Sequence, residues 1–136
     1  MTRCLLIDAD AASRASLSRY LGSHAFTVRS GGTAQELQRL ALAEPFDIVL
    51  LDLAPPCAEG DTAGLDGLAL CRWVHEVARL PLIVMTDPAH PGDRIAALEA
   101  GADDHIDPPH EPREVVAHIR ALLRSMAKHA PVVRGG

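Results

Sequence analysis

Residues 46–53, Phe-Asp-Ile-Val-Leu-Leu-Asp-Leu, contain four consecutive apolar residues that end on the carboxylate of Asp52. Three other runs end on a polar side chain in the same way: 4–7 on Asp8, 82–85 on Thr86 and the weaker run 103–106 on Asp107. Apolar runs of this length, separated by helix-like stretches, are typical of strands in a parallel sheet that is buried on both faces.

The polar residues at the ends of these runs predict one shared site. In a parallel sheet, the side chains just past the carboxyl ends of neighbouring strands converge, and ligands bind there. Carboxylates together with a hydroxyl at that edge suggest a site for a hard cation or a phosphoryl group.

The chain alternates strand and helix five times, which predicts an α/β fold with a doubly wound, flavodoxin-like (βα)5 arrangement and strand order 2-1-3-4-5. The first and third strands would then be neighbours, with Asp8 beside Asp52. Thr33 and Glu36 form a capping-box pattern at the start of the second helix. Gly101 suits the left-handed position after the fourth helix.

Helical periodicity predicts which side chains of the third and fifth helices are buried. Leu70, Val74 and Val77 recur at helical spacing, so we expect all three on a buried stripe and Trp73 off it, partly exposed. Pro112 fits the first turn of the last helix. The stripe of that helix comprises Val115, Val116, Ile119, Leu122, Leu123 and Met126.

Composition limits the class of protein. A chain of 136 residues with 3% aromatic residues predicts one domain with an aliphatic core, over residues 1–125, followed by a tail or linker over 126–136. Three widely spaced cysteines, no apolar run long enough for a membrane span and no signal-peptide pattern predict a cytoplasmic protein. The net charge of −5 gives no support for nucleic-acid binding by this segment.

Five motifs, in order and at suitable spacing, resemble the receiver domain of two-component response regulators. They are Leu5-Leu6-Ile7-Asp8-Ala9-Asp10, residues 46–53 with Pro56, Leu65-Asp66-Gly67-Leu68, Met85-Thr86, and Gly101-Ala102-Asp103-Asp104. The resemblance covers about residues 3–125, and residues 112–120 are most similar to the branch that carries a winged-helix DNA-binding domain.

The resemblance implies roles for individual residues. Asp52 would be the phospho-acceptor. The metal ligands for Mg²⁺ would be Asp8, Asp10, Asp52 and the backbone carbonyl of Ala54, with Asp10 as a substitute ligand. Thr86 would contact the phosphoryl group and His105 would occupy the aromatic switch position. A histidine kinase is the implied partner, and DNA would be bound only through a further C-terminal domain.

The sequence departs from the family pattern at the charges that matter most for this chemistry. Ala9 occupies the position of an acid that usually binds the metal, and Pro108 that of a lysine. Loss of one such charge interaction often costs about 2–4 kcal/mol at the transition state. We therefore expect a module that signals largely without ordinary aspartyl phosphorylation. The alternative is a working Mg²⁺-dependent acceptor, in which Asp10, or Glu59 and Asp61 from the long loop 55–64, restores the site.

Several candidate residues have a simpler structural explanation. Asp10 can be the N-cap of the first helix. Thr86 can be a hydrogen-bonded strand-end hydroxyl. His105 is predicted to be a surface residue on an edge strand.

The face of the fourth helix, fifth strand and fifth helix predicts a two-fold dimer. In the winged-helix branch that face pairs charged residues, and the matching pairs here are Arg94 with Glu114, Glu99 with Arg120, and Asp104 with His118 in place of an arginine. Because exposed ion pairs each contribute roughly 0–1 kcal/mol, they set register more than affinity. If His118 must be protonated to pair with Asp104, the dimer would tighten below neutral pH.

Two enzyme-like or ligand-binding alternatives are less consistent with the residues. Asp8 and Asp10 also resemble the nucleophile motif of haloacid-dehalogenase-type phosphatases, but that interpretation lacks the required lysine and leaves Asp52 unexplained. Flavin or nucleotide binding is disfavoured because the loop after the first strand is acidic, whereas a phosphate cradle needs Gly-rich amides. The sequence therefore favours a non-enzymatic module.

Overall fold

A computed structural model of the protein describes residues 1–52, 67–85, 91–107 and 111–129. The strands are β1 (Thr2–Ile7), β2 (Phe26–Gly31), β3 (Ile48–Asp52), β4 (Leu82–Met85) and β5 (Asp104–Ile106). The helices are α1 (Ala11–Gly22), α2 (Ala34–Ala43), α3 (Gly67–Trp73), α4 (Pro91–Ala100) and α5 (Pro112–His129). Each pair of neighbouring strands is parallel, in the order β2-β1-β3-β4-β5. The predicted flavodoxin-like fold is confirmed.

The sheet is covered on both faces, as the continuous apolar runs predict. Alternate residues of each strand point to opposite faces. Leu5, Val49 and Val84 belong to one core cluster, with side chains of α2, α3 and α4. Leu6, Leu50 and Ile83 belong to the other, with side chains of α1 and α5. Central β3 and β4 are buried along almost their whole length, so the sheet is a rigid platform for residues at its carboxyl edge.

A local sequence signal sets where α2 begins. Thr33 caps α2, since its Oγ1 accepts a hydrogen bond from the Glu36 amide at 3.1 Å. The Glu36 carboxylate reaches back to the Gly32 amide at 3.4 Å rather than to the amide of Thr33. The capping box is therefore present, but displaced by one residue on the carboxylate side.

The predicted stripe of α3 is wrong at its end. Leu70 and Val74 are buried, whereas Val77 is 54% exposed. The reason is a π-helical turn, Val74–Ala78, that follows α3 and ends at Arg79 in the left-handed conformation. A π turn contains more residues than an α turn, so Val77 rotates away from the sheet. Trp73, predicted to be partly exposed, is half-buried and packs against the core cluster.

The end of α4 confirms the predicted role of Gly101. Its φ is +123°, a conformation that side chains rarely adopt, and a Cβ there would lie 2.6 Å from the Cβ of His75. The π-helical turn and the end of α4 therefore meet across a glycine.

α5 continues through His129, past residue 126 where the sequence predicts the tail to start. Within the described residues, no helix combines the length and apolarity needed to span a membrane.

Candidate phosphoryl-acceptor site

The carboxyl edge of the sheet brings Asp8 and Asp52 together. Ile7 of β1 pairs with Leu51 of β3, so the residues that follow them occupy matching positions. Asp8 is only 3% exposed, and its amide donates to the carbonyl of Gly31 at 3.0 Å. The Asp8 side chain is hydrogen-bonded to that of Asp52. The predicted meeting of these two acids is confirmed by the geometry.

Asp10 is the N-cap of α1. Its Oδ1 accepts hydrogen bonds from the amides of Ala12 at 2.9 Å and Ser13 at 3.3 Å. The Asp10 amide in turn donates to Asp8 Oδ1 at 2.9 Å. One oxygen of each of these two acids is therefore already engaged by backbone amides, which stabilises the turn between β1 and α1.

Asp52 carries the largest electrostatic perturbation of the site. Burial is the largest of the causes that together raise the pKa of its carboxyl from 3.8 to about 7; the others are the charges of Asp8 and Asp10 and a hydrogen bond with Asp8. A carboxyl in these surroundings keeps its proton to neutral pH because ionisation would add a charge beside two other acids.

Arg14 is a site residue that the sequence analysis missed. It lies in the first turns of α1, is half-buried, and its Nη1 donates to the carbonyl of Asp8 at 2.6 Å. The sequence signal that could have identified Arg14 is its spacing from Asp10. Arg14 follows the N-cap Asp10 by four residues, which places the two on the same face of the helix, beside the acidic edge.

The acids at this edge do not, as they lie, enclose a metal ion. Their hard oxygen atoms are of the type that Mg²⁺ prefers. However, Asp8 and Asp10 each commit one oxygen to backbone amides, and Asp8 and Asp52 bond to each other. In the part of the chain that is described, no group of three or more histidine, cysteine or acidic side chains is arranged to hold a metal.

Several predicted site residues lie outside the described residues. These are Ala54, Thr86, Pro108, and the loop 55–64 with Glu59 and Asp61. The predicted backbone ligand, phosphoryl contact and substitute oxygens therefore remain sequence-based predictions.

His105 is not the surface residue that the sequence predicts. It lies on the edge strand β5, but only 11% of its side chain is exposed. It pairs with Val84 of β4, whose side chain belongs to the core cluster on the α4 side of the sheet, so strand alternation turns the imidazole toward that cluster. Its Nε2 lies 3.1 Å from Oδ1 of Asp107, just beyond the strand. The His105 side chain therefore lies between the core cluster and Asp107 at the carboxyl edge of the sheet.

A family model matches the sequence of this chain. The model for the response regulator receiver domain matches residues 4–120, most of the chain. The chain belongs to the response regulator receiver family.

Two curated relatives of this receiver are transcriptional regulators. It is 36% identical over 135 residues to the transcriptional regulatory protein GltR of Pseudomonas aeruginosa, covering 97% of this chain and 52% of the relative. It is 34% identical over 123 residues to the transcriptional regulatory protein ResD of Bacillus subtilis, covering 90% of this chain and 48% of the relative. The receiver thus spans about half the length of these relatives.

Solved structures agree with the fold. A CheY-like receiver domain protein from Methanospirillum hungatei superimposes with a TM-score of 0.81 at 27% identity, covering 95% of this chain and 98% of that one. The receiver domain of the TMAO respiratory system response regulator TorR gives a TM-score of 0.79 at 27% identity, covering 92% of this chain and 98% of that one.

On the predicted dimer face of the receiver, the cationic residues of α5 make contacts within their own chain. The Nδ1 of His118 lies 2.7 Å from Asp104 Oδ2, and its Nε2 lies 3.6 Å from Glu114 Oε1. Arg120 extends the other way, donating to the carbonyl of His24 at 3.2 Å and lying over the ring of Phe26. The His118–Asp104 pair thus joins α5 to β5 in one protomer.

The α4 side of the same face is open. Arg94 and Glu99 are exposed, and two apolar side chains between them are also exposed: Ile95 by 60% and Leu98 by 40%. An apolar strip flanked by opposite charges is a common pattern for a protein contact surface.

Proposed function

We propose that this receiver is a signalling module of a two-component transcriptional regulator, and that it acts largely without ordinary phosphorylation of Asp52. The observation that carries the proposal is the position of the Asp52 carboxyl beside the buried Asp8 and close to Asp10. A carboxyl must be ionised to attack phosphorus, and here ionisation is opposed by burial and by two neighbouring acids. Pro108 stands where the family has a lysine, whose ammonium would offset this opposition, and Ala9 stands where the family has an acid that would help to hold a metal ion.

The regulator assignment rests on the relatives. GltR and ResD are named as transcriptional regulatory proteins, and each is about twice as long as the matched segment. We infer that residues 126–136 lead toward a DNA-binding domain in the whole protein and that a histidine kinase is the upstream partner. We also infer that the receiver does not itself bind DNA.

The proposal is tested with beryllofluoride, which with Mg²⁺ mimics the acyl phosphate of a receiver without a covalent step. Amide NMR spectra of the protein should be unchanged by the mixture, apart from shifts that Mg²⁺ alone produces. Shifts that need both reagents, and that disappear in Asp52→Ala, would instead favour the alternative of a working Mg²⁺-dependent acceptor.

We also propose that the face of α4, β5 and α5 forms a homodimer. The exposed apolar strip of Ile95 and Leu98 supplies the area to be buried. Arg94, Glu99, Glu114 and the Asp104–His118 pair set the register. Arg120 would have to leave its contacts with His24 and Phe26 to reach a partner's Glu99, so we expect that pair to contribute least.

The dimer should tighten as pH falls from 7.5 to 5.5. His118 lies between Asp104 and Glu114 on a face that also carries Glu99 and Arg94. Charging it reduces the negative charge that two copies bring together, by an amount worth roughly three- to tenfold in the association constant. Sedimentation equilibrium measures that constant. His118→Arg should remove the pH dependence, and a wild-type constant that does not change with pH would refute the coupling.

A further inference from the structure

Arg14 is a cation at the acidic edge that forms no ion pair with any acid among the described residues. Its Nη1 is 2.6 Å from the carbonyl oxygen of Asp8. Within the described ranges no carboxylate lies within ion-pair distance of its guanidinium. The group is half-buried and always charged, with most of its N–H donors directed elsewhere than the Asp8 carbonyl. A permanent positive charge therefore lies against Asp8, which carries the most buried carboxylate among the described residues.

The backbone after β2 makes room for this side chain. A Cβ on Gly32 would lie 2.6 Å from Nη1 of Arg14 and 3.5 Å from the carbonyl oxygen of Asp8. The preceding glycine, Gly31, makes room in the same way for the carboxylate of Glu36, whose Oε2 would lie 2.8 Å from an added Cβ. Gly31 thus leaves room for the side chain of Glu36, and Gly32 leaves room for that of Arg14. Of the two side chains, that of Arg14 is the one that reaches the carbonyl of Asp8, just after β1.

We propose that Arg14 is a built-in counter-charge of the acidic edge, a positioning residue that binds the carbonyl of Asp8 and opposes the binding of a divalent cation there. Asp8 and Asp10 would otherwise concentrate negative charge beside the Asp52 carboxyl at the carboxyl ends of β1 and β3, and such a cluster attracts cations. A fixed guanidinium at the same turn lowers that attraction without occupying the carboxylate oxygens. The inference does not depend on whether Asp52 is phosphorylated.

The test is a Mg²⁺ titration followed by the amide NMR signals of the turn between β1 and α1. Arg14→Gln should raise the affinity for Mg²⁺ by roughly two- to fivefold, the order of magnitude expected for removing one nearby charge close to a protein surface. Arg14→Lys keeps the charge and should bind Mg²⁺ as the wild type does. Arg19→Gln removes an equal charge from an exposed position in the last turn of α1 and is the matched control.

A purely structural role for Arg14 predicts a different pattern. If the guanidinium only holds the turn in shape, Arg14→Gln leaves the Mg²⁺ affinity unchanged or lowers it, and either result overturns the proposal. Absence of any Mg²⁺ binding by Arg14→Gln overturns it too, since removal of a competitor must raise the affinity.

Gly32→Ala provides a second route should Arg14→Gln fail to fold. The added methyl displaces the flexible end of Arg14 while keeping its charge on the chain. The proposal predicts higher Mg²⁺ affinity for Gly32→Ala than for the wild type, by a smaller factor than for Arg14→Gln. An unchanged affinity in Gly32→Ala would contradict it.

Discussion

Replacing Ala9 with Asp and Pro108 with Lys together will make Asp52 a phospho-acceptor. The new acid adds a ligand for Mg²⁺ beside Asp8, and the ammonium supplies positive charge for the phosphoryl oxygens. Restoring one charge interaction of this kind typically changes a rate by about 10²–10³, so we expect the double variant to react with acetyl phosphate at least about 10²-fold faster than the wild type. The measurement is the phosphorylated fraction against time, by intact-protein mass spectrometry with Mg²⁺ present.

Three further variants make the result specific. Asp52→Ala in the restored background should abolish the adduct. Ala9→Asp alone and Pro108→Lys alone should each recover part of the rate, because each supplies one of the two missing interactions. A restored variant that reacts no faster than the wild type would show that Ala9 and Pro108 are not what limits the chemistry.

Asp52→Asn should stabilise the fold at neutral pH, and more so as pH rises. The pKa of Asp52 is about 7 in the folded protein, above its ordinary value of 3.8. Between these values the folded state holds a proton that the unfolded state releases, so the contribution of this group to stability is greatest below about pH 4 and is lost as pH rises to about 7. A shift of this size corresponds to at most about 4 kcal/mol. Asn is neutral throughout and avoids the loss.

The free energy of unfolding, from urea denaturation at several pH values, checks this. The difference between Asp52→Asn and the wild type should be small near pH 4 and reach about 2–4 kcal/mol in favour of the variant near pH 8. Glu76→Gln, an acid-to-amide change at an exposed position of the π-helical turn, should show no such trend. If the difference for Asp52→Asn is the same at every pH, Asp52 does not bind the proton as described.

The fold was predictable because its signals are long and redundant. Four apolar runs that each end on a polar residue determine four of the five strands, and the alternation with helices leaves few topologies. The same register places Asp8 beside Asp52, so the centre of the site followed from the sequence as well. The capping roles of Asp10 and Thr33 are local, involving residues two or three positions apart, and were predictable for that reason.

The details that were missed depend on contacts between distant parts of the chain. Val77 is exposed because one turn after α3 is π-helical, and a helical wheel assumes a constant turn. The His105 side chain is only 11% exposed because it lies on the same side of the sheet as its neighbour Val84, which no local pattern reveals. Arg14 reaches the site because Gly32, eighteen residues further along the chain, leaves a space for it.

The most direct test of the account is the intact mass of the wild-type protein after incubation with acetyl phosphate and Mg²⁺, beside Asp52→Ala. Circular dichroism of both proteins establishes that they are folded. We predict that neither gains a phosphoryl group under conditions in which the variant with Ala9→Asp and Pro108→Lys does. A phosphoryl adduct on the wild type that is absent from Asp52→Ala would contradict the account and make this receiver an ordinary phospho-acceptor.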